Sequence, residues 1–251
     1  LKLHIKPLIS LFIPQIATSI YTVLDKTMLG LLAEDISEVG FYEQAQKIVK
    51  VALTFVTTMS IVMMPRISNT YAQGNNEKIK SYMNKSFRFN WLLGIPIMFG
   101  IIATAEKMVP WFLGQGYEKV TILMKFTSPV IIFIAFSTTI GSQYLISIKK
   151  QNVHTISVLS GAISNVILNF ILIPKFSAIG ATIGTVFAEL LIVFIEIVYI
   201  TTKKYTQLSD IFNNIWKYLV SGISMYIVVK ITVNNMEISI LSTIIQVISG
   251  M

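Results

Sequence analysis

The chain has 251 residues, of which 54% are hydrophobic and 13% charged, against a charged fraction of about 25% in ordinary soluble domains. Its formal net charge of +8 is carried mostly by short segments between apolar runs, a pattern of membrane topology and not of a nucleic-acid-binding face. With no cysteine and only His4 and His154, disulfide frameworks and thiol chemistry are excluded, and neither a metal centre nor any other cofactor is expected.

An apolar run of about 20 residues crosses a hydrocarbon core of about 30 Å as a helix, and such runs recur along the whole chain. Full spans are predicted at 8–31, 41–66, 88–109, 120–148, 154–174, 179–202 and 212–233, with an incomplete eighth beginning near 238. The expected fold class is all-α: a polytopic membrane helix bundle of about seven full transmembrane helices plus a truncated eighth. Gly40, Gly74, Pro110 with Gly114 and Gly116, Lys149 with Lys150, Pro174, and Asn234 with Asn235 punctuate the runs. Pro14, Pro96 and Pro129 fall inside spans, where they would kink helices or free carbonyls. The polar stretch from Ser68 to Phe87 reads either as an amphipathic segment on an anionic leaflet or as a solvated loop. Leu1 in place of a methionine, and a last apolar run too short to span, predict a piece of a longer protein.

Threading the spans in order puts Lys2, Lys6, Arg66, Lys78, Lys80, Lys85, Arg88, Lys149, Lys150, Lys203, Lys204 and Lys217 on one side. The other side holds Lys107, Lys119, Lys175 and Lys230 with the acidic turn Glu34, Asp35 and Glu38. The positive-inside rule makes the first side cytoplasmic. Ser37-Glu38-Val39-Gly40 and Ser177-Ala178-Ile179-Gly180 both enter a span from the outer side, an echo that repeated helical hairpins or chance would equally produce.

The informative residues are polar ones at membrane depth. In the first span Gln15, Thr18, Ser19, Thr22, Asp25 and Lys26 recur at helical spacing and share one face; in the second, Glu43, Lys47, Lys50, Thr54, Thr57 and Thr58 do the same. An uncompensated charge at membrane depth costs about 2.5–3.5 kcal/mol or more, so these stripes should face each other or a wet cavity. Lys125 of the fourth span is expected beside them, giving the group a positive sum. Glu43 and Lys47 form an i,i+4 pair, and Asp25 could neutralise one further lysine. The remaining cations, among Lys26, Lys47, Lys50 and Lys125, would suit a phosphate-bearing anion. Satisfied interhelical ion pairs, or lysines snorkelling to the headgroups, would produce the same stripes.

In the fifth and sixth spans Gly161, Asn165 and Asn169 line one face, and Thr182, Thr185, Glu189 and Glu196 another. Glu189 falls near the bilayer centre, so Glu189 and Glu196 are candidates for ion coupling; a glutamate bonded to a neighbouring helix is the alternative. The asparagines read as helix-to-helix glue and Gly180 with Gly184 as a close-packing pair. No phosphate-cradling P-loop, HExxH or GxSxG is present, so no ATP-driven motor lies within this chain.

The run Phe12 to Gly30, with Pro14-Gln15 and Asp25-Lys26, resembles the seventh membrane span of Wzx-type polysaccharide flippases. Glu38 to Ala45 and Met64 to Ser68 are similar to the eighth span, and Asn165 to Asn169 with Ile173 to Thr182 to the eleventh and twelfth. These flippases belong to the multidrug/oligosaccharidyl-lipid/polysaccharide exporter superfamily. The resemblance implies that 1–205 is the second six-helix lobe and that 206–251 holds one additional helix and the start of a truncated last one. It also implies alternating-access movement of an undecaprenyl-pyrophosphate-linked oligosaccharide across a bacterial cytoplasmic membrane, for capsule or other surface polysaccharide. A polysaccharide polymerase and a chain-length regulator would then be partners beside the membrane lipids, and nucleic acid would not. A multidrug or small-cation exporter of the same superfamily would need a more acidic cavity. A membrane-bound polymerase or glycosyltransferase would need a large catalytic loop, and the longest polar stretch here has Glu77 as its one acid.

Overall fold

The computed structural model describes residues 2–233 and 238–250, with side chains from Phe12 onward except those at 14, 15 and 233. Expectations for the side chains of Lys2, Lys6, Pro14 and Gln15, and for the turn at Asn234 and Asn235, lie outside the described residues. In chain order the elements are α1 (Lys2–Leu32), α2 (Ser37–Ala72), α3 (Asn76–Phe112), α4 (Glu118–Thr127), α5 (Val130–Ser137), a π-helix (Thr138–Leu145), α6 (Gln151–Thr202), α7 (Leu208–Ile211), α8 (Ile215–Val233) and α9 (Ile240–Gly250). Among the described residues five helical stretches are long and apolar enough to cross a membrane: Ser37–Ala72, Asn76–Phe112, Glu118–Leu145, Gln151–Thr202 and Leu208–Thr232.

The longest of these, 52 residues, is a hairpin in disguise. It breaks at Ser177 (φ 49°, ψ −128°), three residues after the expected breaker Pro174, which stays inside the first arm. Gly161 lies against Ile192 and the Ala188 backbone, Gly184 against Asn169, and Gly180 against the Leu172 backbone. The two arms therefore run antiparallel at a separation that glycine alone permits.

The stretch from Ser68 to Phe87 is helical on both sides of a short turn and not a solvated loop. Helix α2 runs on to Ala72 and α3 starts at Asn76, so the reversal occupies only 73–75. Gly74 takes φ 72°, Asn75 N bonds Thr70 O, and the Asn75 side chain accepts from Lys78 N (3.0 Å) to cap α3. A glycine C-cap followed at once by an asparagine N-cap packs both signals into three residues, and good helix formers such as Glu77, Lys78 and Lys80 extend α3 beyond its apolar part.

The fourth predicted span is one path in three pieces. Pro129 disfavours helix at the residue before it and has no N–H to give, so α4 ends and α5 begins there. At Thr138 the backbone switches to π-helical bonding, and Ala135 O accepts from Asn90 Nδ2 (3.0 Å) and Thr138 Oγ1 (3.0 Å). Thr139 Oγ1 joins Ser60 Oγ (2.8 Å) and Asn90 Nδ2 (3.0 Å), tying α2, α3 and the π-helix together.

Two apolar cores sit at opposite ends of the bundle. One gathers Leu29, Val49, Ile101, Leu123, Ile131 and Ile173; the other gathers Ile67, Phe87, Trp91, Phe136, Ile140 and Ile200. Phe170, Phe187, Phe194 and Ile163 of α6 instead point outward, as expected where the surroundings are lipid. Helices α8 and α9 lean on α3: Gly222 sits against Ile95 and Phe99, Trp111 Nε1 donates to Thr243 Oγ1 (2.7 Å), and Gln246 Nε2 to Ala103 O (3.3 Å).

Candidate functional site

Between the two cores a cleft of about 300 Å3 opens among α1, α2, α5, the π-helix and α6. The stripe spacing explains why: Thr18, Tyr21, Thr22 and Asp25 recur every three or four residues on α1, and Tyr42, Glu43, Gln46, Lys47 and Lys50 on α2, so each helix turns one polar edge inward. Ser137, Thr138 and Ser142 reach the cleft from the α5–π-helix path. A π-helical insert rotates the residues beyond it about the helix axis, a common device at functional sites.

The rim is cationic. Glu43 Oε1 receives both Lys26 Nζ (3.1 Å) and Lys47 Nζ (3.2 Å), so one carboxylate serves two lysines. Lys47 is the more exposed of the pair, with 62% of its side chain open. Lys50, a turn further along, lines the cleft and has no carboxylate within 4.0 Å among the described residues.

The floor is acidic and closed by hydrogen bonds. Asp25, 1% exposed, accepts from Asn169 Nδ2 (2.6 Å), Tyr42 OH (2.9 Å) and Thr185 Oγ1 (3.0 Å). Asn169 also donates to Asn165 Oδ1 (3.2 Å), and Glu189 accepts from Tyr21 OH (2.6 Å). This buried network joins α1, α2 and both arms of α6. Paired in this way, a buried polar group costs far less than it would alone.

Several expectations are corrected. Asp25 does not neutralise a lysine; tyrosine, asparagine and threonine surround it, and Lys26 turns to Glu43 instead. Lys125 lies apart from the cleft: it pairs with Glu106, which also receives Lys230 Nζ (2.5 Å), so it ties α4 to α3 and α8. Thr54 is exposed and returns its hydroxyl to Val51 O (2.7 Å) on its own helix. The expected positive sum is not found either, since Lys26, Lys47 and Lys50 face Asp25, Glu43 and Glu189 in equal number. What the cleft has is polarity along its depth, lysines outside and carboxyls inside. Thr18, Thr22, Asp25, Lys26, Glu43, Lys47, Lys50 and Glu189 do line it, while Glu196 sits behind its wall against His154 Nδ1 (2.6 Å).

Tyr21, Tyr42 and His154 escaped the sequence reading. Tyr21 follows Thr18 by three residues and precedes Asp25 by four, so the stripe carried it; tyrosine was counted with the apolar residues, and its hydroxyl is what matters here. Outside the spans, Asp35 accepts from Ser37 N (2.8 Å) and Oγ (2.5 Å), which holds its carboxyl below the usual aspartate range.

The chain is similar to proteins of one superfamily. It is 26% identical over 171 residues to a probable low-salt glycan biosynthesis flippase of Haloferax volcanii, covering 66% of this chain and 34% of that protein. It is 25% identical over 182 residues to a putative O-antigen transporter of Shigella dysenteriae, covering 72% of this chain and 45% of that one. The chain thus spans less than half the length of these curated relatives. In fold it is similar to a lipid II flippase in an inward closed conformation, with a TM-score of 0.81 at 20% identity over 95% of this chain and 50% of that one. The MatE family model matches residues 11–171. That match covers more than half of the chain and places it in the MatE family, and the long apolar helices suit a multi-pass membrane protein.

Proposed function

We propose that the chain forms one lobe of a flippase that moves a lipid-linked oligosaccharide across the cytoplasmic membrane, the anionic lipid phosphate meeting the lysine rim and the sugar meeting the hydroxyls and amides within. In this reading 1–205 is the second six-helix lobe, and 206–251 adds the helices that follow it. The carried unit is an undecaprenyl-pyrophosphate-linked repeat for capsule or another surface polysaccharide, passed on to a polymerase and its chain-length regulator. The observation that carries the proposal is the shared carboxylate: Glu43 balances one of Lys26 and Lys47, and Lys50 has no counter-ion at ion-pair distance, so the rim keeps surplus cations for an anion to bind. A compact ammonium pairs well with phosphate at a half-wet site. Glu189, and Glu196 through His154, stand ready to exchange a proton during the cycle.

The acidic floor favours a second reading, a small-cation exporter in which Asp25 and Glu189 hold the cargo. One experiment separates the two. Lys47→Ala with Lys50→Ala in the full-length protein should abolish surface polysaccharide while leaving the protein in the membrane. Polymer output at the wild-type level would overturn the cationic-rim assignment and favour the exporter.

A further inference from the structure

A second hollow, of about 330 Å3, lies at the basic end of the bundle. It is enclosed by the end of α2, the first turns of α3, the end of the π-helix and the end of α6. Lys80, Lys150 and Lys204 line it beside Tyr71, Tyr144 and Tyr205, and no carboxylate does among the described residues. Lys80 has a partner outside the hollow, Asp210 Oδ2 at 3.0 Å. Among the described residues Lys150 and Lys204 have none within 4.0 Å. Glu77, one turn before Lys80 on α3, is exposed and makes no ion pair among the described residues.

An independent observation comes from Thr206. It lines the same hollow, is 7% exposed, and its Oγ1 is buried with no hydrogen-bond partner among the described residues. Buried hydroxyls are normally satisfied, so this one is suited to a ligand. Asn76, the first residue of α3, brings the electropositive end of that helix to the same wall. Tyr144, 7% exposed and set edge-on to Tyr205 with centroids 5.8 Å apart, supplies a rigid side.

Two unpaired ammonium groups, a free buried hydroxyl and a helix N-terminus describe a receptor for a compact oxyanion of one or two negative charges. We propose that this hollow binds a phosphate group, with Lys150 and Lys204 as counter-charges and Thr206 Oγ1 as hydroxyl donor. The group could belong to the headgroup of an anionic lipid in that leaflet or to a free phosphate anion, and both present the same oxygens. The site is distinct from the cleft, shares no lining residue with it and does not depend on the flippase reading.

The test uses purified full-length protein in phosphate-free detergent buffer. One arm titrates inorganic phosphate by calorimetry, and the other adds phosphatidylglycerol and counts bound lipid by native mass spectrometry. Saturable binding in either arm is expected, weakened about tenfold or more by Lys150→Gln with Lys204→Gln, since hydrogen bonds between ammonium and phosphate are among the strong ones. Lys150→Arg with Lys204→Arg should keep it, and so should Lys125→Gln, whose lysine is engaged with Glu106 and lines neither hollow. Binding only in the lipid arm assigns the site to a headgroup, and binding only in the phosphate arm assigns it to a soluble anion. Failure in both arms overturns the proposal, as does full affinity in the glutamine variant or loss of affinity in Lys125→Gln. If the glutamine variant does not fold, Thr206→Val, nearly equal in volume, decides: it should weaken binding severalfold, and unchanged affinity overturns the site.

Discussion

Glu38, near the start of α2, accepts a hydrogen bond from the backbone nitrogen of Ala178 (3.0 Å), the first residue after the break in α6. The two segments that echo each other in sequence are thus bound to each other in space. Glu38 is 6% exposed and also takes Lys119, so one side chain closes the hairpin turn and pins α4 to it.

Glu38→Ala should therefore loosen the hairpin at its turn. A lost cap costs about 0.5–2 kcal/mol, and the unpaired Lys119 adds to it. The thermal midpoint of the full-length protein in detergent should fall, and protease should cut more readily near Ser177. Glu38→Gln keeps an acceptor for Ala178 N and should recover about half of the loss. An alanine variant melting with wild type would remove the cap from consideration.

Asn169 carries a second such joint, because its Nδ2 reaches Asp25 Oδ1 at 2.6 Å and holds α1 to α6. Asn169→Ala removes a bond to a buried carboxyl, worth about 1.5–3 kcal/mol. Asn165→Ala removes the bond from Asn169 (3.2 Å) and a contact with Asp25 weaker than that of Asn169, so it should cost less, about 1 kcal/mol. The ordering of the two melting temperatures checks this; equal losses would mean that Asp25 does not rely on Asn169.

These joints mark the limit of sequence reading. The long apolar helices were legible because 20-residue apolar runs are local signals, and the Glu43–Lys47 pair was legible because i,i+4 spacing is. The polar edges of α1 and α2 were legible for the same reason. Which helix each edge meets was not: Asp25 finds Asn169 across 144 positions of sequence, and no periodicity encodes that distance. Lys125 misled because depth in the membrane was read without azimuth. Its side chain faces Glu106 on α3. At Ser68 to Phe87 the sequence left helix and loop open because polar helix and polar loop share a composition, and the structure has helix on both sides of a short turn.

Glycine substitutions should separate close packing from mere helix propensity. A methyl at Gly180 would run into the Leu172 backbone, which cannot step aside, whereas one at Gly40 meets nothing within 4 Å. Gly180→Ala should cost about 1–3 kcal/mol as overpacking. Gly40→Ala should be neutral or stabilise by up to about 1 kcal/mol, because alanine is the better helix former. Melting curves of the two full-length variants decide it, and a harmless Gly180→Ala would mean that the hairpin arms do not approach as closely as drawn.

Lys50 and Lys125 are distinguished by what they already hold. Lys125 is engaged with Glu106 and sits away from the cleft, while Lys50 lines the cleft with no carboxylate at ion-pair distance among the described residues. Lys125→Ala should then leave transport by the full-length protein unchanged, with at most about 1 kcal/mol lost from a partly exposed ion pair. Lys50→Ala should reduce transport several-fold at an unaltered membrane level, and Lys50→Arg, which keeps the charge, should retain most of it. The comparison is made on surface glycan output normalised to protein in the membrane fraction. Equal defects in Lys50→Ala and Lys125→Ala would show that general positive charge, and not the position of a lysine on the cleft, governs transport.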